Sequence, residues 1–308
     1  MSKKLFIIGN GFDVDLGLLT KYSDFYRIWK QNNLWPFADS TSGLGAYLNN
    51  RVERENWLDL ELALYQYSSA TNGMAVPSSD GLYPIDSDKE DFETLLSSLS
   101  VYLKRIVWEK GVNDKSVAKE VFRKVLDKGD YGIYSFNYTN LRSIAARLYK
   151  GASYYDDFEC EFDYTPVHGT LKDNDIIIGV NSNAQLIEGY DFLRKIDQPT
   201  YRPNNLLQEL NNAKDLTFFG LSMGAIDYPY FRVLFDGLCS GIVPNSDKKN
   251  VTLFTYDEQS RMQILKQLRA LTGTDLQQMM SNCRFRMIRT SLCDGADKPL
   301  LEGWLSDN

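Results

Sequence analysis

Apolar and polar positions fall into two textures along this chain. KLFIIG (residues 4–9) is a continuous apolar run stopped by glycine, the pattern of a strand buried on both faces. KYSDFYRIWKQ (21–31) changes period. Tyr22, Phe25, Tyr26 and Trp29 recur at helical spacing, which predicts a helix with Thr20 as its N-cap. NWLDLELALYQYS (56–68) continues in that texture through Trp57, Leu58, Leu62 and Tyr65. Residues 89–110 place Phe92, Leu95, Leu96, Leu99, Leu103, Ile106 and Val107 on one stripe. Between these two stretches, residues 68–90 are rich in Ser, Gly, Pro and Asp and read as a loop of the length that lids have.

Beyond residue 130 short strand-like runs alternate with helices. The runs are YGIYSF (131–136), a segment near 162–167, DIIIGV (175–180), DLTFFG (215–220) and VTLFTY (251–256). Helical patterns near 139–149, 203–213, 227–240 and 258–271 separate them. Strands alternating with helices of this length predict βαβ units and a parallel sheet. The first strand belongs with that set. The expectation is therefore a single α/β domain over 1–308, with a mainly helical insertion at 34–128.

Ligands of such sheets bind at the carboxyl ends of the strands. Polar clusters follow the predicted strands at those places: Gly9-Asn10-Gly11, Asn137-Tyr138-Thr139, His168-Gly169, Ser222 and Tyr256-Asp257.

Composition narrows the classes. The chain has 308 residues, 43% hydrophobic, with a net charge of −7. That balance argues against a general nucleic-acid binder, whose affinity comes from neutralising phosphates. No apolar run reaches the roughly 20 residues that span a bilayer. The basic tip MSKK resembles the start of a signal peptide, but its apolar run ends after four residues at Gly9. The four cysteines form no C-x-x-C pair, which argues against structural zinc and suggests reduced thiols in a cytoplasm. A single histidine excludes a metal site with several His ligands, and no metal is expected.

Several motifs carry chemistry. Gly9-Asn10-Gly11-Phe12-Asp13 has the close glycines of a phosphate cradle, although the dinucleotide fingerprint would need glycine where Val14 stands. Gly220-Leu221-Ser222-Met223-Gly224 matches the nucleophile elbow G-x-S-x-G. That triad needs its histidine after the serine, and His168 precedes it, so Ser222 is expected in a ligand-binding turn. His168 is placed to act as a general base. No Arg-x4-His ribonuclease motif is formed, because position 163 is Asp. Asn137 can orient water or a ribose hydroxyl. Asp59 and Glu61 read as a solvated helix face.

These pieces, in this order, resemble the AbiH-type bacteriophage abortive-infection family. They are I-I-G-N-G-F-D…G-L…T-x-Y-x-x-F, W-x-D-x-E, S-F-N-Y-T, H-G and F-G-L-S-M-G-A-I-D-Y-P-Y-F, from residue 5 to about 231. The order is also similar to the wider sirtuin-like superfamily. That resemblance implies a three-layer, Rossmann-like parallel sheet and NAD as substrate or ligand. By position it places Gly9, Gly11 and Asp13 on the first nucleotide loop, Asn137 and His168 on the catalytic pair, and Gly220 and Ser222 on the ribose turn. Asn10, Thr20 and Asp227 belong to the same motifs and count as cofactor-binding. Thr139 and Phe136 depart from the superfamily pattern, and the zinc cysteines of protein-deacylating sirtuins are missing.

The expectation is a cytoplasmic anti-phage effector that hydrolyses the nicotinamide–ribose bond, with His168 as base. It would stay latent until a phage-derived trigger, a partner protein or assembly of copies releases it. The alternative is a nucleotide-binding switch without chemistry. No nucleic-acid or membrane partner is expected.

Overall fold

The computed structural model describes residues 4–54, 59–77, 81–109, 111–150, 159–172, 175–224, 227–273 and 275–307, with side chains at 106–109 excepted. The chain divides into two compact units. The first takes residues 1–18, 111–167 and 203–308, and the second takes 19–110 and 168–202.

The first unit is an α/β layer structure. Six strands, β1 (Lys4–Ile8), β2 (Tyr131–Ser135), β3 (Thr165–Pro166), β4 (Asp215–Phe219), β5 (Lys249–Thr255) and β6 (Cys283–Arg289), form one sheet in the order β3-β2-β1-β4-β5-β6. All pairings are parallel, with Ile8 opposite both Ser135 and Phe219. The period of two sorts the side chains into two cores. Leu5, Ile7, Phe218 and Leu253 pack with the helices Leu206–Asn212, Tyr228–Cys239, Glu258–Leu271 and Leu276–Asn282. Phe6, Ile8, Phe219, Phe254 and Ile288 pack on the other face with the helices Asn10–Asp15, Val117–Lys128, Leu141–Lys150 and Lys298–Ser306. Helices on both faces of a parallel sheet make the three-layer, Rossmann-like arrangement that the alternating pattern predicts.

The second unit is mainly helical, with Tyr22–Gln31, Gly43–Arg54, Leu60–Ser68 and Ile85–Glu109. Phe25, Trp29 and Tyr102 pack ring on ring at 4.9–5.8 Å. The buried Asp88 carboxylate ties distant segments together. It accepts from Leu44 N at 2.7 Å, the Tyr67 hydroxyl at 2.7 Å and the Tyr190 hydroxyl at 2.5 Å.

Four expectations are corrected. The N-cap position of the first helix of the second unit is Lys21, not Thr20, and the Lys21 side chain makes no capping bond. DIIIGV is not a strand. Its backbone bonds go locally, Ile177 N to His168 O at 2.9 Å and Val180 N to Leu193 O at 2.8 Å, and the run is buried without joining the sheet. The strand read at 162–167 shrinks to Thr165–Pro166. A sixth strand, CRFRMIR, and two flanking helices follow the last strand read from the sequence. The loop at 68–90 is partly pinned: Ala70 N donates to Gln185 O at 2.9 Å and Ala75 N to Tyr67 O at 2.9 Å.

Among the described residues, no helix is long and apolar enough to cross a membrane.

Candidate functional site

The parallel ladder extends past the strands. Val167 N donates to Ser135 O at 2.7 Å, Phe136 N to Ile8 O at 2.8 Å, Gly9 N to Phe219 O at 2.9 Å and Gly220 N to Phe254 O at 3.0 Å. This staircase fixes the turns at the carboxyl edge of the sheet. It also fixes the purpose of the glycines. Gly11 N donates to Gly220 O at 2.8 Å. A Cβ on Gly11 would stand 2.5 Å from the Gly220 Cα, and one on Gly9 would stand 2.7 Å from the Leu221 Cα. The two turns touch backbone to backbone at the boundary between β1 and β4, where strand order reverses. The Gly9 and Gly11 N–H groups are thus spent on protein carbonyls. A phosphate cradle built from these two donors is not what the geometry provides.

What the edge provides instead is a buried polar cluster. Asp13, on the short helix after β1, is 1% exposed. Thr139 Oγ1 lies 3.1 and 3.0 Å from its two carboxylate oxygens. Asn137 Nδ2 donates to Gly9 O at 3.1 Å, and the Asn137 amide also bonds the Asp13 carboxylate. Ser135 orders the turn, accepting from Asn137 N at 3.2 Å. Burial pushes the Asp13 carboxyl up to about 7, partly offset by the hydrogen bonds from Thr139 and Asn137. A carboxyl titrating there can give or take a proton at neutral pH.

Chain continuity places His168 two residues beyond β3, in the second unit. It is buried, and its Nε2 lies 3.2 Å from Lys195 Nζ. Lys195 is also buried, with its ammonium 2.8 and 2.9 Å from the two Glu61 carboxylate oxygens. Glu61 is therefore no solvated charge. It projects from the helix Leu60–Ser68, whose N-cap is Asp59, accepting from Leu62 N at 3.0 Å. Burial, and then the Lys195 charge, hold His168 well below the ordinary imidazole range. Burial raises the Glu61 carboxyl, and Lys195 opposes that rise. Gly169 follows His168 because its φ is +73° and a Cβ would meet the Asp175 carbonyl oxygen at 2.0 Å.

Ser222 is exposed in the turn after β4, and the left-handed backbone belongs to its neighbour Met223, at φ 50°. A nucleophile elbow would put the strain on the serine itself. Asn10 is exposed, Thr20 lies in the second unit, and Asp227 occupies the N-cap position of the helix Tyr228–Cys239 without a side-chain capping bond. Among the described residues, no group of three His, Cys, Asp or Glu side chains could hold a metal ion. Lys195 is the residue that sequence reasoning missed. It sits in an aperiodic segment, 134 positions from Glu61.

A six-stranded parallel sheet with crossed-over strand order and helices on both faces defines a Rossmann-like α/β protein. Within that class the family is fixed by sequence. The model for "Bacteriophage abortive infection AbiH" matches residues 5–241, and the chain belongs to that family. None of the curated proteins matches it.

Proposed function

We propose that this chain is the effector enzyme of an abortive-infection system, hydrolysing the bond between nicotinamide and ribose in NAD. The observation that carries this reading is the buried meeting of Asp13, Asn137 and Thr139 at the carboxyl edge of β1 and β2. In the reaction the oxygen of water bonds to the ribose C1′ as the C1′–N bond breaks. The bonding pair returns to the pyridinium nitrogen, so nicotinamide leaves neutral, and the proton of the water passes to the Asp13 carboxylate. The transition state is oxocarbenium-like, as in glycoside hydrolysis. Asn137 would orient the water or a ribose hydroxyl.

The residues fit a ribose in kind, with a carboxylate near neutrality, an amide and a hydroxyl. They supply no cation for the diphosphate, so that recognition falls to other groups. His168 was expected to be the base. An imidazole nitrogen facing an ammonium is a poor one, and Asp13 takes that duty here. The burial of Asp13 also supports latency: a phage-derived trigger, a partner protein or assembly of copies would have to open its carboxyl to water.

The test is nicotinamide release from NAD by the wild-type chain, Asp13→Asn, Asn137→Ala and His168→Ala, with and without phage infection of the host. Release that falls about 10²–10⁴-fold in Asp13→Asn supports the assignment. Unchanged release in that variant removes Asp13 from the chemistry. The second reading is a nucleotide-binding switch. It is favoured by the burial of Asp13, whose carboxylate is already bonded to Thr139 and Asn137, and is recognised by ligand retained without turnover.

A further inference from the structure

The Glu61–Lys195–His168 cluster lies within the second unit and is not used by the chemistry above. We infer that Glu61 and Lys195 are positioning residues that hold the chain's sole histidine as a neutral imidazole with its proton on Nδ1, the Nε2 lone pair being given over to the Lys195 ammonium. This inference stands whether or not the chain acts on NAD.

The donor inventory decides the direction of the bond. A lysine with both oxygens of a carboxylate at 2.8 and 2.9 Å is an ammonium, because the carboxylate stabilises that form. An ammonium has three donors and no acceptor. Its contact of 3.2 Å with His168 Nε2 must therefore run from Nζ to the ring. A ring nitrogen that accepts carries no proton, so the proton sits on Nδ1.

Both ends are anchored. Lys195 N donates to Val180 O at 3.0 Å, in a short bridge that also holds Val180 N on Leu193 O at 2.8 Å. His168 O receives Ile177 N at 2.9 Å. Lys195 is 5% exposed and His168 5%, so water does not compete for the contact. The charges placed on the ring are Lys195, from the turn Lys195–Asp197, and Glu61 behind it, from the helix Leu60–Ser68. Adding a proton at Nε2 would set two cations against each other in a buried place, which agrees with the lowered affinity of the ring for protons. His168 is thus fixed in one tautomer and supplies a directed N–H, not a base.

One histidine in 308 residues gives an unusually clean readout. The full chain, labelled with ¹⁵N only at histidine, is followed by long-range ¹H–¹⁵N correlation. The expected spectrum has a pyrrole-type Nδ1 and a pyridine-type Nε2, unchanged between about pH 8 and about pH 5. In Lys195→Met the lock is lost and the ring mixes its Nδ1 and Nε2 tautomers, while burial still holds its affinity for protons down. Lys195→Arg keeps a cationic donor and is expected to preserve the pyridine-type Nε2, a rescue that mere space-filling would not give. A wild-type ring that carries its proton on Nε2, or that protonates near the ordinary imidazole value, overturns the inference. If Lys195→Met does not fold, the wild-type and Lys195→Arg spectra decide it.

Discussion

Thr139 Oγ1 bridges both carboxylate oxygens of Asp13, at 3.1 and 3.0 Å. A hydroxyl has one proton, so it serves the two oxygens as a shared donor and stabilises the ionised carboxyl. The bond joins the helix after β1 to the turn after β2, and it sets the proton affinity of the most buried acid at the sheet edge.

Asp13 should make the protein's stability fall as pH rises. Its carboxyl is raised from 3.8 to about 7. The folded state then binds more protons than the unfolded chain between those values, so the contribution is complete below about pH 4 and gone above about pH 7. The full span corresponds to about 4 kcal/mol. Asp13→Asn keeps the shape and removes the titration. Urea unfolding of both proteins at a series of pH values should show the variant gaining on the wild type as pH rises. A constant difference would place the titration elsewhere.

Thr139→Val should move that midpoint upward. Without the hydroxyl, the carboxylate loses a bond made to its charged form. The same unfolding series would report a transition shifted to higher pH. A shift to lower pH would contradict the hydrogen-bond assignment.

The glycine contacts divide into sites that cannot accept a side chain and sites that can. Gly11→Ala drives a Cβ to 2.5 Å from the Gly220 Cα, backbone against backbone, and should cost about 2–4 kcal/mol. Gly237 lies within the helix Tyr228–Cys239 and a Cβ there meets nothing within 4 Å. Gly237→Ala should therefore stabilise by about 0.5–1 kcal/mol. Denaturant midpoints of the two variants are expected to move in opposite directions.

Removing one partner of the buried pair should be worse than removing both. Lys195→Met leaves Glu61 buried and uncompensated, a loss on the order of 3–5 kcal/mol. Adding Glu61→Leu should recover much of it. A double-mutant cycle by thermal unfolding measures the coupling, and strictly additive losses would mean that the pair contributes no interaction of its own.

The sheet was legible because its strands are short apolar runs closed by glycine or polar residues. KLFII and DLTFF announce themselves in this way, and so do the positions of Asn137 and Asp13 just beyond strand ends. CRFRMIR was missed since an edge strand breaks its apolar run with arginines, of which Arg284 and Arg286 reach outward to neighbouring loops and the chain end. DIIIGV misled for the opposite reason: burial makes a run apolar whether or not it joins a ladder. Gly9, Gly11 and Gly220 were each visible, but the contact of Gly11 with Gly220 was not, because contact between two turns leaves no local signature. Lys195 was invisible for the same reason, as an isolated cation whose partner is far along the chain.

The second unit is assembled from two separate lengths of chain, and this has a practical consequence for dissecting the protein. No single continuous stretch of the gene encodes it. A fragment covering only residues 19–110 would carry Asp88 without the Tyr190 hydroxyl and Glu61 without the Lys195 ammonium. Two acids would be left in the interior with their partners cut away. Deletion mapping that trims the coding sequence between residues 168 and 202 would thus report loss of the helical unit as readily as loss of anything at the sheet. Separating the two halves of the molecule calls for point substitutions, or for joining the two lengths with a new linker.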